Sequence, residues 1–209
     1  MQKFNNRLAL GLFIACNTIL LAGCSLKPVA TSPTQMYVLN PTIPTITAKP
    51  IKAALLVEIP KSTQAFDTMQ MAYVNKPYQL TYFSYNQWAD TPAQMLHPLL
   101  IQALQNTGHF HAVIATANST QYDVTLNTRL LQLQQVFLHH PSQIQLNLRA
   151  QLINNATHHV IATQQFNITE PAPQDTPYGG VIAANKATEK LLQQITQFVL
   201  DHTQQITTQ

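Results

Sequence analysis

The stretch Gln143-Ile144-Gln145-Leu146-Asn147-Leu148-Arg149-Ala150-Gln151-Leu152-Ile153 alternates polar and apolar residues up to Leu152. Side chains of a strand point to opposite faces in turn. Ile144, Leu146, Leu148, Ala150 and Leu152 therefore share one face, and Gln143, Gln145, Asn147, Arg149 and Gln151 share the other. Asn154-Asn155-Ala156-Thr157 then predicts a turn. Residues 159–169 predict a return strand with Val160, Ala162, Phe166 and Ile168 on one face. Upstream, residues 121–138 predict another long strand. Tyr122, Val124, Leu126 and Leu130 alternate there with Asp123, Thr125, Asn127 and Arg129. The phase slips at Leu131 and Leu133, which predicts a bulge or a change of face. Together the three strands predict an antiparallel meander with one wet face.

The elements around this meander complete an α+β domain. Residues 53–59 form an apolar run ended by Pro60 and predict a buried strand. Residues 61–68 predict a connection. Residues 69–74 and 78–84 predict a hairpin about Asn75-Lys76-Pro77, with Tyr78, Leu80 and Tyr82 on one face. A helix is predicted from Pro92, with Thr91 and Gln94 in capping-box spacing. Leu96, Leu99, Leu100, Ala103 and Leu104 form its apolar face. Pro98 predicts a kink within it, or a regular part restricted to later residues, and Gly108 a stop. Residues 109–115 predict a strand. Residues 170–180, with three prolines and two glycines, predict a loop. Residues 181–202 predict a last helix whose buried stripe is Ala184, Ala187, Leu191, Ile195, Phe198 and Val199. The fold class expected is a mostly antiparallel sheet with two main helices packed against it.

The N-terminus carries a different signal. Lys3 and Arg7 precede an apolar run from Leu8 to Ala22, and Leu21-Ala22-Gly23-Cys24 closes it. A positive region, a short apolar run and small residues in that order are those of a secretory signal. The run is short for a spanning helix, which needs ~20 apolar residues. The cysteine makes the stretch resemble a bacterial lipobox. That resemblance implies cleavage after Gly23 and acylation of Cys24. An uncleaved anchor, or a signal with an incidental cysteine, is the alternative. The expected organisation is a signal over 1–23, a lipidated N-terminus and Pro-rich tether over 24–50, a domain over 51–203 and a tail over 204–209. Within the tether, Met36-Tyr37-Val38-Leu39 is a short strand-like run.

Cutting 1–23 from the 209 residues leaves 186. Lys3 and Arg7 leave with the signal, so 9 basic residues face 8 acidic ones. This near-neutral balance and the lack of a basic stripe give no support to nucleic-acid binding. Cys16 is also lost, and no disulfide or cysteine zinc site then remains. Charged residues make up only 9 % of the chain, so amides and hydroxyls must solubilise it. Self-association as a homo-oligomer is compatible with such a surface. Tyr82, Tyr85 and Trp88 stand in an aromatic cluster with Tyr78 and Phe83. Either they form a partner-docking patch, or they pack the sheet onto the first helix. In the second reading Tyr85 and Trp88 anchor the strand-to-helix corner and Tyr82 is exposed. His109 and His111 share a strand face, but no carboxylate partner accompanies them, and the histidines read as surface or structural. No GxSxG elbow, phosphate loop or paired-carboxylate spacing is present. No catalytic residue, metal or cofactor is therefore assigned.

Several short motifs occur in a suggestive order. These are Tyr37-x-Leu39, Leu55-Leu56-Val57 ending at Pro60, Met71-Ala72-Tyr73, the segment from Leu80 to Ala89 with Trp88, and Gly108-x-Phe110. Tyr122-x-Val124-x-Leu126 and Ala183-Ala184-Asn185-Lys186-Ala187 follow. Behind a lipobox, this order resembles the ABC-type transport auxiliary lipoprotein family, which includes the paraquat-inducible protein C-like lipoproteins. Val74 departs from the basic residue expected there. The resemblance implies a non-enzymatic, periplasm-facing accessory of a lipid transporter, with an Mce-domain protein and an ABC permease and ATPase as partners. Ser25 after the cysteine resembles sorting to the outer membrane. A structural or assembly lipoprotein and a periplasmic hydrolase are the alternative classes. Replacing Cys24 by Ala is expected to release or misprocess the protein while leaving the domain folded. Membrane fractionation and circular dichroism of the variant check this.

Overall fold

The longest alternating segments form the strands that the rest is built on. In the computed structural model, which describes residues 33–116 and 121–204, β7 (Val124–Val136), β8 (Gln143–Asn154) and β9 (His159–Pro171) form the antiparallel meander. Leu126, Leu130, Leu146, Leu148 and Leu152 are fully buried on its inner face. Each such side chain contributes about 1.5–3 kcal/mol through lost water contact. The phase slip in β7 is a bulge. Leu130 pairs with Leu148, Gln132 pairs with Asn147, and Leu131 is the extra residue. The bulge moves Leu133 onto the buried face. A second irregularity corrects one expectation for β9. Ala162 pairs with Leu152 but Val160 pairs with Ile153, so Val160 turns to the wet face and is exposed.

The opposite edge of β7 is shared by three strands in tandem, all parallel to it. β2 (Ile51–Val57) pairs at Val124–Leu126, β3 (Lys61–Ser62) at Arg129–Leu130, and β4 (Gln70–Lys76) at Gln134–Val136. The expected connection over 61–68 thus contains two ladder residues, followed by a 3-10 turn at Gln64–Phe66. β2 is buried on both faces over Ala53–Val57, with β7 on one edge and β6 (Phe110–Ile114), also in parallel, on the other. Buried parallel strands read as continuous apolar runs for this reason. β4 returns through a hairpin into β5 (Gln79–Trp88), which is longer than expected. Tyr78 lies in the turn with φ +66° and is exposed, not on a strand face with Leu80 and Tyr82. The sheet is mixed, mostly but not purely antiparallel, and the expected α+β class holds.

Two helices cover the inner face of the sheet. α1 (Pro92–Gln105) buries Leu96, Leu99, Leu100, Ala103 and Leu104, as its spacing predicts. Its Thr91 side chain makes no cap bond; instead Asp90 Oδ1 accepts from the Thr91 N–H at 2.6 Å. The helix continues through Pro98, which sits on its exposed side. Gly108, φ +61°, follows the helix end, a left-handed position that glycine occupies without strain. α2 (Pro177–Thr203) begins inside the expected loop. Pro177 suits the first helical position because its missing N–H costs nothing there. Thr176 Oγ1 accepts from the Gly179 N–H at 3.0 Å. The Lys190 ammonium pairs at 2.5 Å with Glu170, a carboxylate on the inner face of β9.

The chain before β2 departs from a free tether. Thr34–Gln209 forms one compact unit, and residues 34–50 lie along it. β1 (Gln35–Tyr37) pairs in parallel with β5. Leu39 enters the core, and the Ala48 N–H donates to the Thr107 carbonyl at 3.1 Å. The sparse periodicity of 24–50 hides this because irregular chain can still bury a single leucine.

Gly179 and Gly180 are required by close approach. A Cβ on Gly179 would lie 2.1 Å from the Gln174 carbonyl oxygen, and one on Gly180 would lie 2.3 Å from Oε1 of buried Gln135. Backbone cannot yield as a flexible side chain can. Gly179→Ala is expected to cost about 1–3 kcal/mol, measured by urea unfolding followed by circular dichroism.

Candidate functional site

Three of the motif segments converge on the N-terminal edge of the domain. Tyr37 is registered with Trp88, and the Ala89 N–H donates to the Tyr37 carbonyl at 2.7 Å. The Trp88 N–H donates to the Met69 carbonyl at 2.7 Å. On the helix side, Asn185 Oδ1 accepts from the Asn40 N–H at 2.6 Å, while its Nδ2 donates to the Val181 carbonyl at 3.0 Å and the Val38 carbonyl at 3.4 Å. Asn185 thus replaces, for residues 38–40, the strand partner that an edge segment lacks. Tyr37, Leu39, Trp88, Ala89 and Asn185 together form a clasp that holds the first strand to β5 and α2.

The aromatic residues singled out in the sequence divide at this clasp. Trp88 is 3 % exposed and fills the core at the corner between β5 and α1. Tyr82 is half-buried, and its hydroxyl donates to the Ala65 carbonyl at 2.8 Å, holding the 3-10 turn. Tyr85 is 49 % exposed. The corner role expected of Tyr85 and Trp88 thus falls to Trp88, and the exposed tyrosine is Tyr85 rather than Tyr82. Met36 and Val38 are 60 % and 54 % exposed. Met36 is registered with Gln87, so alternation puts Met36, Val38 and Tyr85 on one side of the β1–β5 edge. On the other side the Tyr37 ring meets Tyr178, with centroids 6.1 Å apart. Beside it a cleft of about 330 Å³ runs between residues 40–42 and the first turns of α2. The exposed side of the edge therefore offers apolar and aromatic surface of the kind that docks a partner. Met36 and Val38 carried no site signal in the sequence, since a four-residue apolar run in a Pro-rich segment has no visible partner. A further stack, Tyr73 on Phe83 at 4.4 Å with Phe137 edge-on to both, braces the far end of β4 and β5.

The histidines divide between structural and exposed positions. His109 is buried; Nδ1 lies 2.6 Å from the Lys49 carbonyl and Nε2 lies 3.0 Å from Thr203 Oγ1. A carbonyl only accepts, so Nδ1 carries the hydrogen. His109, just before β6, in this way joins the chain before β2 to the end of α2, whereas His111 within β6 is exposed. His140 faces Asp175, whose carboxyl is held below its ordinary value. The Ser142 N–H, 2.5 Å from Oδ1, is the main cause, and His140 Nδ1, 2.8 Å from Oδ2, adds to it. The stability this pairing contributes is full above the ordinary carboxylate value and is lost as pH falls through the lowered one. Among the described residues no three His, Cys, Asp or Glu side chains converge as metal ligands. Cys24 and the signal lie outside the described residues.

The motifs thus clasp one edge strand onto an α+β domain. The family model for the ABC-type transport auxiliary lipoprotein component matches residues 37–196, and the chain belongs to that family. The match begins at Tyr37, so the clasp lies within the family domain. Among solved structures, a DUF330 protein from Xanthomonas campestris is 18 % identical, with a TM-score of 0.76 over 84 % of this chain and 100 % of its own. A hypothetical protein from Chlamydia trachomatis, 6 % identical, reaches a TM-score of 0.51 over 73 % of this chain and 98 % of its own. These likenesses are of fold. No curated protein matches the sequence.

Trp88→Ala is expected to cost about 3–5 kcal/mol, as for other large buried aromatics. Tyr85→Ala is expected to stay within about 0.5 kcal/mol of the parent because its side chain is exposed. Thermal unfolding of the two variants separates the core residue from the surface one.

Proposed function

We propose that this protein is a non-catalytic, lipid-anchored accessory of an ABC transporter, and that its domain docks on an Mce-domain partner in moving lipid between membranes. Family membership over 37–196 is the observation that carries this reading. The lipobox-like stretch at Leu21–Cys24 supports the anchor, and Ser25 supports an outer-membrane, periplasm-facing position. Several acyl chains on Cys24 make such anchoring stable where one chain would be marginal. The anchor then raises the effective concentration of the domain near its partner. Docking is assigned to the β1–β5 edge, where Met36, Val38 and Tyr85 leave apolar surface exposed. Aromatic and Met side chains are the residues that interfaces favour.

The full chain, captured in mild detergent, is expected to retain an Mce-domain protein. Tyr85→Asp combined with Met36→Asp is expected to lower that capture at least tenfold without unfolding the domain. Repeated failure of the parent chain to retain an Mce-domain protein overturns the reading. Retention that the double variant leaves unchanged moves docking to another surface.

A further inference from the structure

A notch opens in the sheet where β3 covers only two residues of β7. Neither β5 nor β6 extends beside β3, since β5 pairs with β4 and β6 with β2. The notch has a volume of about 240 Å³. Lys61, Arg129 and Arg149 line it and stand in one row: Lys61 is registered with Arg129, and Arg129 with Arg149. The described residues contain two arginines, and both stand in this row. Directly opposed side chains on neighbouring strands have Cβ atoms ~4.5–5.5 Å apart, and like charges there repel. None of the three cations makes an ion pair or a side-chain hydrogen bond among the described residues. Glu58 is the one acidic residue lining the notch, and it pairs with none of them. Asn127, also in the lining, keeps a buried Oδ1 with no hydrogen-bond partner. Three unpaired donors of positive charge thus sit beside an unused acceptor.

We infer that this notch binds a phosphate ester that carries hydroxyl groups. The guanidiniums of Arg129 and Arg149 and the Lys61 ammonium take the phosphate oxygens. Arginine presents paired N–H groups that match two such oxygens at once. Asn127 Oδ1 and the Glu58 carboxylate accept from the hydroxyls. The volume falls short of the ~300–1,000 Å³ of drug-sized ligand pockets, so it suits a polar headgroup and not acyl chains. The same chemistry occurs in free glycerol phosphate and in the headgroup of phosphatidylglycerol. The notch is separate from the β1–β5 edge, and its failure leaves the transporter reading intact.

The test uses the full chain in dodecyl maltoside micelles at fixed ionic strength. Calorimetric titration is made with glycerol 3-phosphate and, separately, with dihexanoyl phosphatidylglycerol. Saturable binding of at least one is expected, weakened tenfold or more in Arg129→Gln and in Arg149→Gln. Lys52→Gln, which removes an exposed cation of β2 outside the notch, is expected to leave binding unchanged. Thermal midpoints of the two arginine variants are expected to match or exceed the parent's, because one repelling charge has gone. Binding of the short-chain lipid tighter by tenfold or more assigns a lipid headgroup; any smaller advantage assigns the free ester. Absence of binding by both ligands, or equal weakening in the arginine variants and Lys52→Gln, overturns the inference.

Discussion

Both edges of β7 are occupied. β8 runs along one for its full length, and β2, β3 and β4 share the other in turn. A backbone N–H or C=O buried without a partner costs about as much as a lost hydrogen bond. A 13-residue strand in the middle of a domain therefore demands pairing along both edges. Three short strands meet that demand because the chain from Ile51 to Lys76 keeps returning to the β7 register after each interruption. The Glu58 N–H still reaches the Leu126 carbonyl, and the Thr63 N–H the Leu130 carbonyl. The hairpin, the clasp and the notch all follow from where these segments touch β7 and where they leave it.

The short motifs of the chain acquire a physical reason at the clasp. Tyr37 and Leu39 work only if Trp88 and Ala89 offer a ladder and Asn185 offers an amide. Far apart in sequence, they are one structural unit. A motif of this kind marks a joint of the fold.

Much of the fold was legible where burial imposes a period. The alternation over Gln143–Leu152 located the meander, and the slip after Leu130 located a bulge of β7. The leucines of α1 named its buried face. Features that depend on distant partners were not legible. Nothing local in Lys61-Ser62 says that β7 lies beside them. Pro177, Gly179 and Gly180 resemble a loop because the same residues that break helices also begin them and allow close packing. Val160 was assigned to the inner face because its bulge is a matter of pairing and not of local pattern. At the candidate site, the aromatic cluster was visible as composition, but only tertiary contacts separate buried Trp88 from exposed Tyr85. Arg129 and Arg149 are twenty residues apart, and their opposition appears only once the register of β7 and β8 is known.

The parallel pairing of β1 with β5 also has a mechanical meaning. Tension carried by the chain ahead of Thr34 enters the domain at β1. Pulled along its own axis, a strand loads its ladder bonds together in shear, not one at a time as in unzipping. The bonds from Ala89 to Tyr37 and from Asn40 to Asn185 stand behind that ladder as further resistance. Leu39, seated in the core, must leave it before the strand can slide. A load entering at β1 would meet this edge before it reached β7.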